Sequence, residues 1–182
     1  MQAKHKISKI VVALDGSDHA AKALDFAIDL AEQYDAKLTT VSVISDQPIS
    51  EEERHLAEVE YHTDVIEKLN ADALLDVRGD PRAIAGMLAQ QYGDAARIIR
   101  RGVFQNFLDK ANTKIKSRGI TNFETVIAEG DPAKVILETA KDIKADLIML
   151  GSRGLSNLGG LLMGSVSHKV LQMAKCSCIT VK

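Results

Sequence analysis

Apolar residues in this chain alternate between short unbroken runs and longer stretches with helical spacing. The run from Lys9 to Leu14 is rich in β-branched residues, as is typical of a strand buried on both faces of a parallel sheet. It ends at Asp15-Gly16-Ser17, which predicts a turn and a helix with Ser17 as its N-cap. Residues 36–44 predict a second strand, so the chain opens as a β-α-β unit. The apolar face of the helix comprises Ala20, Leu24, Ala27, Ile28, Ala31 and Tyr34.

The C-terminal part of the chain repeats this alternation. Asp131 as N-cap and Pro132 as first residue predict a helix that runs to about Ala145, and a last helix is predicted to begin near Ser165. Strands that alternate with helices so regularly predict an open, mostly parallel α/β sheet with helices on both faces. Three further strands are predicted, over Phe123–Ala128, Asp146–Leu150 and Cys178–Val181.

The middle of the chain, from Pro48 to Gly119, has helical patterns and an uneven charge. Residues 50–72 contain eight acids and two bases, whereas residues 94–118 contain seven bases and two acids. We interpret the bases as a solvated helix face balanced by the acidic helix, rather than as a patch for an acidic partner, since exposed charged faces are the norm. The basic segment also has a predicted buried face of Phe104, Phe107, Leu108, Ala111 and Ile115.

Composition narrows the class of protein. A length of 182 residues favours a single domain over residues 1–182, and a net charge of −2 with 4% aromatic residues disfavours nucleic-acid binding. The longest apolar runs are too short to span a bilayer or to form a signal-peptide core, so we expect a cytoplasmic protein without membrane insertion. Cys176 and Cys178, the only cysteines, are expected to be reduced thiols on one face of a strand, without a metal.

The most informative motif is Gly151-Ser-Arg-Gly154, followed by nine residues and then Gly164-Ser165. It joins a predicted buried strand to a predicted helix. Glycines let the backbone approach an anion closely, and the free N–H groups of the loop and of the helix N-terminus bind phosphate. Asp15 ends the first strand and is expected at the same crevice, where its carboxylate accepts hydrogen bonds from ribose hydroxyls. The sequence therefore predicts a phosphate cradle, although it contains neither G-x-x-x-x-G-K-[ST] nor G-x-G-x-x-G after the first strand.

These residues resemble those of the universal stress proteins. The resemblance rests on Ile10-Val-Val-Ala-Leu-Asp-Gly-Ser17, Glu129-Gly-Asp-Pro132, Ala145-Asp-Leu-Ile-Met-Leu-Gly-Ser-Arg-Gly154 and the G-x2-G-x9-G-[ST] motif, and it covers residues 7–47 and about 94–182. It implies a Rossmann-like five-stranded parallel α/β sheet with strand order 3-2-1-4-5. It also implies the subclass that binds ATP, AMP or another adenine nucleotide, with Mg²⁺ carried by the nucleotide.

The resemblance also implies a set of site residues. Adenine and ribose would lie beside Ala13, Leu14 and Asp15, and Val43 would contact the base. Arg153 lies between two of the glycines, where it either reaches a phosphate or is an exposed loop residue. Ribose and phosphates would be held largely through backbone N–H groups of Gly151, Gly154, Gly164, Ser165 and Val166.

Two departures from the family pattern bear on partners. The last strand contains Cys176-Ser-Cys-Ile-Thr-Val181 where the family often has Cys-Pro-Val-Leu-Val-Val. Family members commonly form homodimers through this edge strand, and the loss of the proline does not forbid pairing, so a dimer or a tetramer is expected. The second departure is a helical insertion over about 48–93, a candidate surface for a protein partner such as a transporter or regulator.

Three hypotheses of function follow. The first is a nucleotide-binding stress-response regulator, because the phosphate cradle comes without catalytic equipment. The second is a slow ATPase, for which the sequence offers no positioned base beyond His168, a residue expected to face solvent. The third is an interaction module that works through the charged middle of the chain. The remaining histidines show no metal-binding spacing.

Overall fold

A computed structural model describes residues 6–45, 101, 104–154 and 163–182 of the chain. Five strands form one parallel sheet: β1 (Lys9–Ala13), β2 (Lys37–Ile44), β3 (Phe123–Glu129), β4 (Leu147–Gly151) and β5 (Ser177–Val181). Four helices accompany it in the described residues: α1 (Asp18–Tyr34), α2 (residues 104–117), α3 (Pro132–Ile143) and α4 (Ser165–Met173). The strand order β3-β2-β1-β4-β5 confirms the predicted fold class.

The described residues other than Arg101 belong to a compact unit built from Met1–Gln47 and Phe104–Lys182. The predicted insertion over 48–93, and with it the acidic segment, lies outside the described residues. The two stretches that carry the motifs thus meet in one sheet although they are far apart along the chain.

Two apolar clusters cover the two faces of the sheet, because successive strand residues point to opposite sides. One face is covered by α1 and α2, whose buried residues pack against Ile10 and Val12 of β1 and against Leu14, which follows the strand. On the other face, Val11 of β1 packs with Val41 of β2 and with buried residues of α3 and α4. The β-branched run at the start of the chain is therefore buried on both faces, as its composition predicts.

Helix α1 begins where the sequence predicts. Ser17 is the N-cap, and its side chain accepts a hydrogen bond from the backbone N–H of Ala20. The predicted apolar face is buried except for Tyr34, the last residue of the helix, which is 38% exposed. Asp35 then adopts a left-handed conformation and ends the helix.

The predicted buried face of α2 is confirmed. Phe107 is half-buried, and the other four residues of that face are buried: Phe104, Leu108, Ala111 and Ile115. Two bases at and just after the C-terminal end of α2 pair with acids of α1. Lys114 forms an ion pair with Asp25, and Arg118 reaches both Asp29 and Glu32 at 2.8 Å. The acids that pair with these two bases therefore come from α1.

Helix α3 also begins at the predicted cap. Asp131 accepts a hydrogen bond from the backbone N–H of Lys134 at 2.8 Å, and Pro132 is the first residue. The helix ends at Ile143, before the predicted Ala145, because Lys144 is left-handed and the N–H of Ala145 donates back to the carbonyl of Ala140 at 2.8 Å.

Candidate functional site

The candidate site lies at the carboxyl edge of the sheet, where β1 and β4 run side by side. After Ala13, the end of β1, the chain crosses through α1 to β2, which pairs with β1 on one side. After Gly151, the end of β4, the chain crosses through α4 to β5, which lies on the opposite side of β4 from β1. The chain leaves these neighbouring strands in opposite directions, which is the switch point at which open α/β sheets bind ligands.

The two halves of the glycine motif meet at this edge. The backbone N–H of Ser152 donates to the carbonyl of Val181 at 2.6 Å, and the backbone N–H of Gly164 donates to the carbonyl of Ser152 at 2.8 Å. The hydroxyl of Ser167, a buried residue of α4, donates to the carbonyl of Gly151 at 2.7 Å. These bonds hold the start of α4 against the end of β4.

The three glycines of the motif have different surroundings. A Cβ on Gly151 would lie 2.8 Å from the backbone nitrogen of Ala20, so this glycine lets β4 pack against α1. A Cβ on Gly154 would lie 2.5 Å from Oδ2 of Asp15. A Cβ on Gly164 would lie 3.5–3.7 Å from atoms of Ser152, Arg153 and Gly154, which is ordinary van der Waals contact. Packing within the described protein thus accounts for Gly151 but not for Gly164.

Among the described residues, three helices have their N-termini at the carboxyl edge, and these are not equivalent. α1 is capped by the Ser17 side chain and α3 by the Asp131 side chain. The N-cap of α4 is Gly164, which has no side chain to accept a cap hydrogen bond. The first bond within α4 runs from the N–H of His168 to the carbonyl of Gly164, so the N–H groups before it have no intrahelical partner. Of these three, α4 is the N-terminus suited to an anion.

The Asp15 carboxylate faces the glycine loop in a fixed orientation. Its Oδ1 accepts hydrogen bonds from the backbone N–H of Ser17 at 3.0 Å and from the Ser17 hydroxyl at 2.7 Å. Its Oδ2 lies against Gly154. The structure therefore brings Asp15 and the loop together, as the sequence predicts.

An apolar wall adjoins the loop on the α3 and α4 face of the sheet. Ala13, Val43 and Val166 all pack in the same cluster, so the structure brings these three predicted site residues to one side. Leu14 belongs to the cluster on the opposite face, and its backbone N–H donates to the carbonyl of Val41. We therefore expect Leu14 to support the site from behind rather than to touch a ligand with its side chain.

The remaining two predicted site residues lie at the rim. Arg153 is half-buried, and its carbonyl lies 3.3 Å from the Ser17 hydroxyl. Ser165 is exposed at the first position of α4. Their contact with a ligand stays a prediction.

Sequence reasoning missed two side chains that shape the site. His19 lies in the first turn of α1, and its Nδ1 is 3.1 Å from Oγ of the buried Ser152. Ser167 fixes the first turn of α4, as described above. Neither belongs to a spacing pattern, because each contact joins segments that come together only in the folded sheet.

Of the two cysteines expected on one face of a strand, Cys178 lies on β5, whereas Cys176 comes just before it. His168 is exposed, and its Nε2 atom lies 3.4 Å from Nε2 of Gln172. Cys176 and Cys178 are free thiols, and burial raises the pKa of each. Within the described ranges, no group of three or more His, Cys, Asp or Glu side chains is placed to hold a metal ion. None of the helices described here is long and apolar enough to cross a membrane.

Comparison with known proteins gives a consistent result. Residues 6–182 match the model of the Universal stress protein family. Universal stress protein YxiE of Bacillus subtilis is 31% identical over 175 residues, which cover 96% of this chain and 99% of that protein. The structure of universal stress protein UspA from Lactobacillus plantarum is 22% identical with a TM-score of 0.63, and it covers 97% of this chain and 99% of that one. A universal stress protein solved in complex with cAMP is 25% identical with a TM-score of 0.56, and the match covers 97% of this chain and 98% of that one.

Proposed function

The chain belongs to the universal stress protein family, and from that premise we propose that it binds an adenine nucleotide at the glycine loop. ATP, AMP and cyclic AMP share the adenosine and phosphate groups that such a site recognises. In this proposal the nucleotide is the signal and the protein is a stress-response regulator whose state depends on it. Mg²⁺ would arrive with ATP, bound to its phosphates.

The observation that carries the proposal is the open N-terminus of α4 beside Gly164. The helix supplies N–H groups that have no partner within the helix, together with the positive end of its dipole. Gly164 adds no side chain in front of these groups, although the described residues around it leave room for a methyl group. An unneeded glycine at an uncapped helix start is explained by a phosphate that requires close approach of the backbone.

The apolar wall supports the choice of an adenine nucleotide over a free phosphate. Ala13, Val43 and Val166 pack in one apolar cluster, and Val166 lies in the first turn of α4 beside the proposed anion site. A flat heterocycle packs on such a surface, and Asp15 between wall and loop accepts hydrogen bonds from the sugar. The universal stress protein solved in complex with cAMP is consistent with a ligand that has both an adenine ring and a phosphate.

A binding measurement tests the proposal. Purified protein freed of ligand by unfolding and refolding would be titrated calorimetrically with AMP, cAMP and ATP with Mg²⁺. We expect saturable binding of at least one of them, and inorganic phosphate as competitor should weaken it only at much higher concentration. The absence of binding to all three at millimolar concentration would refute the proposal. Mass spectrometry of ligand carried through native purification would identify the nucleotide.

We further propose that the protein forms a homodimer through β5. β5 is an edge of the sheet, and Ile179 on it is 40% exposed. The preceding helix adds Leu171 and Met173, which are 37% and 59% exposed. An exposed edge strand with apolar neighbours favours pairing with a second copy, and tetramers would follow from further contacts between dimers.

A further inference from the structure

The Ser17 hydroxyl lies where the β1–α1 turn meets the glycine loop. Its Oγ is 2.7 Å from Asp15 Oδ1, 3.3 Å from the carbonyl oxygen of Arg153 and 3.2 Å from the backbone nitrogen of Ala20. These contacts join the end of a strand, the start of a helix and the loop. A helix cap needs only the last of them.

A hydroxyl carries a single proton, so Ser17 cannot donate fully to both oxygens. The Asp15 carboxylate is charged and closer, whereas the Arg153 carbonyl is neutral and 0.6 Å farther away. Charge-assisted hydrogen bonds are the shorter and stronger ones, so the proton goes to Asp15. The lone pairs of Oγ remain for the N–H of Ala20.

This bond determines which oxygen of Asp15 meets a ligand. Oδ1 already accepts from both the backbone N–H and the hydroxyl of Ser17. Oδ2 is the atom that lies against Gly154, at the loop. A carboxylate beside an anion site repels phosphate and accepts from hydroxyl groups. The donors that a nucleotide presents next to its phosphates are the sugar hydroxyls.

We propose that Ser17 is a positioning residue that sets the selectivity of the site for ribonucleotides over deoxyribonucleotides. It does so by holding Asp15 through Oδ1 so that Oδ2 faces the sugar. This inference rests on the proposed nucleotide site and adds a determinant of which sugar that site accepts.

The test compares affinities for AMP, 2′-deoxy-AMP and 3′-deoxy-AMP, measured by calorimetry on the full chain. Wild type should prefer AMP over at least one deoxy form by about tenfold or more, the scale of a hydrogen bond to a charged group. Asp15→Ala should bring this ratio close to one. Ser17→Ala should lower the ratio by about threefold or more, because Asp15 keeps a single backbone hydrogen bond.

Two variants separate positioning from helix capping. Ser17→Thr keeps both the donor and the cap, and should retain the wild-type ratio. Ser17→Gly removes the hydroxyl but leaves a residue that is a much better N-cap than alanine, so its ratio should fall as in Ser17→Ala while its melting temperature stays closer to wild type.

The outcomes are distinguishable. A Ser17→Ala protein with weaker binding but an unchanged ribose-to-deoxyribose ratio would show that Ser17 acts only as a cap, and would overturn the inference. A wild type that binds AMP without sugar preference would overturn it as well, while leaving the nucleotide site in place. If wild type binds no adenine nucleotide, the proposed function fails and the inference falls with it.

Discussion

Replacement of Gly164 by alanine tests the phosphate cradle with a single methyl group. Gly164 has φ −72° and ψ 157°, a conformation that alanine adopts without strain. The new Cβ would lie 3.5 Å from Cα of Arg153, 3.6 Å from the carbonyl oxygen of Ser152 and 3.7 Å from the nitrogen of Gly154. The fold should therefore accept the substitution.

Two small effects of opposite sign decide the stability of this variant. Alanine is a poorer N-cap than glycine by up to about 1 kcal/mol, whereas its stiffer unfolded chain stabilises the fold by about 0.4–1 kcal/mol. We expect the free energy of unfolding to change by less than about 1 kcal/mol, and the melting temperature by less than about 5 °C.

The effect on binding should be much larger. The methyl group would occupy the space in front of the first N–H groups of α4, where the proposal places a phosphate. Loss of two charge-assisted hydrogen bonds of about 1.5 kcal/mol or more each lowers affinity by about a hundredfold or more. Calorimetric titration with AMP and with ATP and Mg²⁺ measures this loss, and circular dichroism melts measure stability in the same samples.

Gly151→Ala is the matched control, because the same methyl group meets backbone there. Its Cβ would lie 2.8 Å from the nitrogen of Ala20 and 2.9 Å from the carbonyl carbon of His19. Such overpacking costs about 1–3 kcal/mol, so this variant should lose stability even without ligand. Wild-type affinity in Gly164→Ala would refute the cradle, and global unfolding of that variant would mean that Gly164 is required by the fold.

Three further predictions concern other parts of the molecule. The Lys134 backbone N–H and the Lys169 ammonium hold the pKa of Asp131 below its usual value, so its charge stabilises the fold above about pH 4 and this contribution is lost as the pH falls further. Asp131→Asn, which keeps a cap, should therefore lower the urea midpoint at pH 7 more than at pH 3; equal losses would contradict this. Ile179→Lys should convert the proposed dimer to a monomer in sedimentation, whereas Tyr34→Lys, at similar exposure, should not. The Cys176 and Cys178 thiols should react with iodoacetamide at pH 8 more slowly than in urea, since burial raises the pKa of both; equal rates would refute this.

Local chemistry explains which parts of the fold the sequence predicts. Ser17 and Asp131 cap their helices at the predicted positions because a cap depends on a side chain and the N–H groups just after it. The alternation of strands and helices follows from hydrophobic spacing alone. The strand order, in contrast, came from the family resemblance, because periodicity within each strand does not say which strands are neighbours.

The parts that the sequence does not predict depend on contacts between distant segments. His19 and Ser152 are separated by 133 positions, and no local pattern joins them. Leu14 is a different case, since its direction follows from strand alternation. Leu14 is in phase with Ile10 and Val12 and therefore lies on their face of the sheet. The family resemblance, which assigns site residues by their position in the motif, groups it instead with Ala13 on the other face.

The geometry of the loop connects the proposed ligand site with the proposed dimer edge. Gly151 pairs with Val181 in the β4–β5 ladder, and the N–H of Ser152 donates to the carbonyl of the same valine. Ile179 lies two residues earlier on β5, with its side chain exposed. A nucleotide that shifts residues 151–152 would therefore act directly on the strand that carries the edge. If binding changes dimer affinity, thermodynamic linkage requires dimer formation to change nucleotide affinity by the same factor. Titrations of wild type and Ile179→Lys with one nucleotide would measure that factor, and equal affinities would show that the two sites are independent.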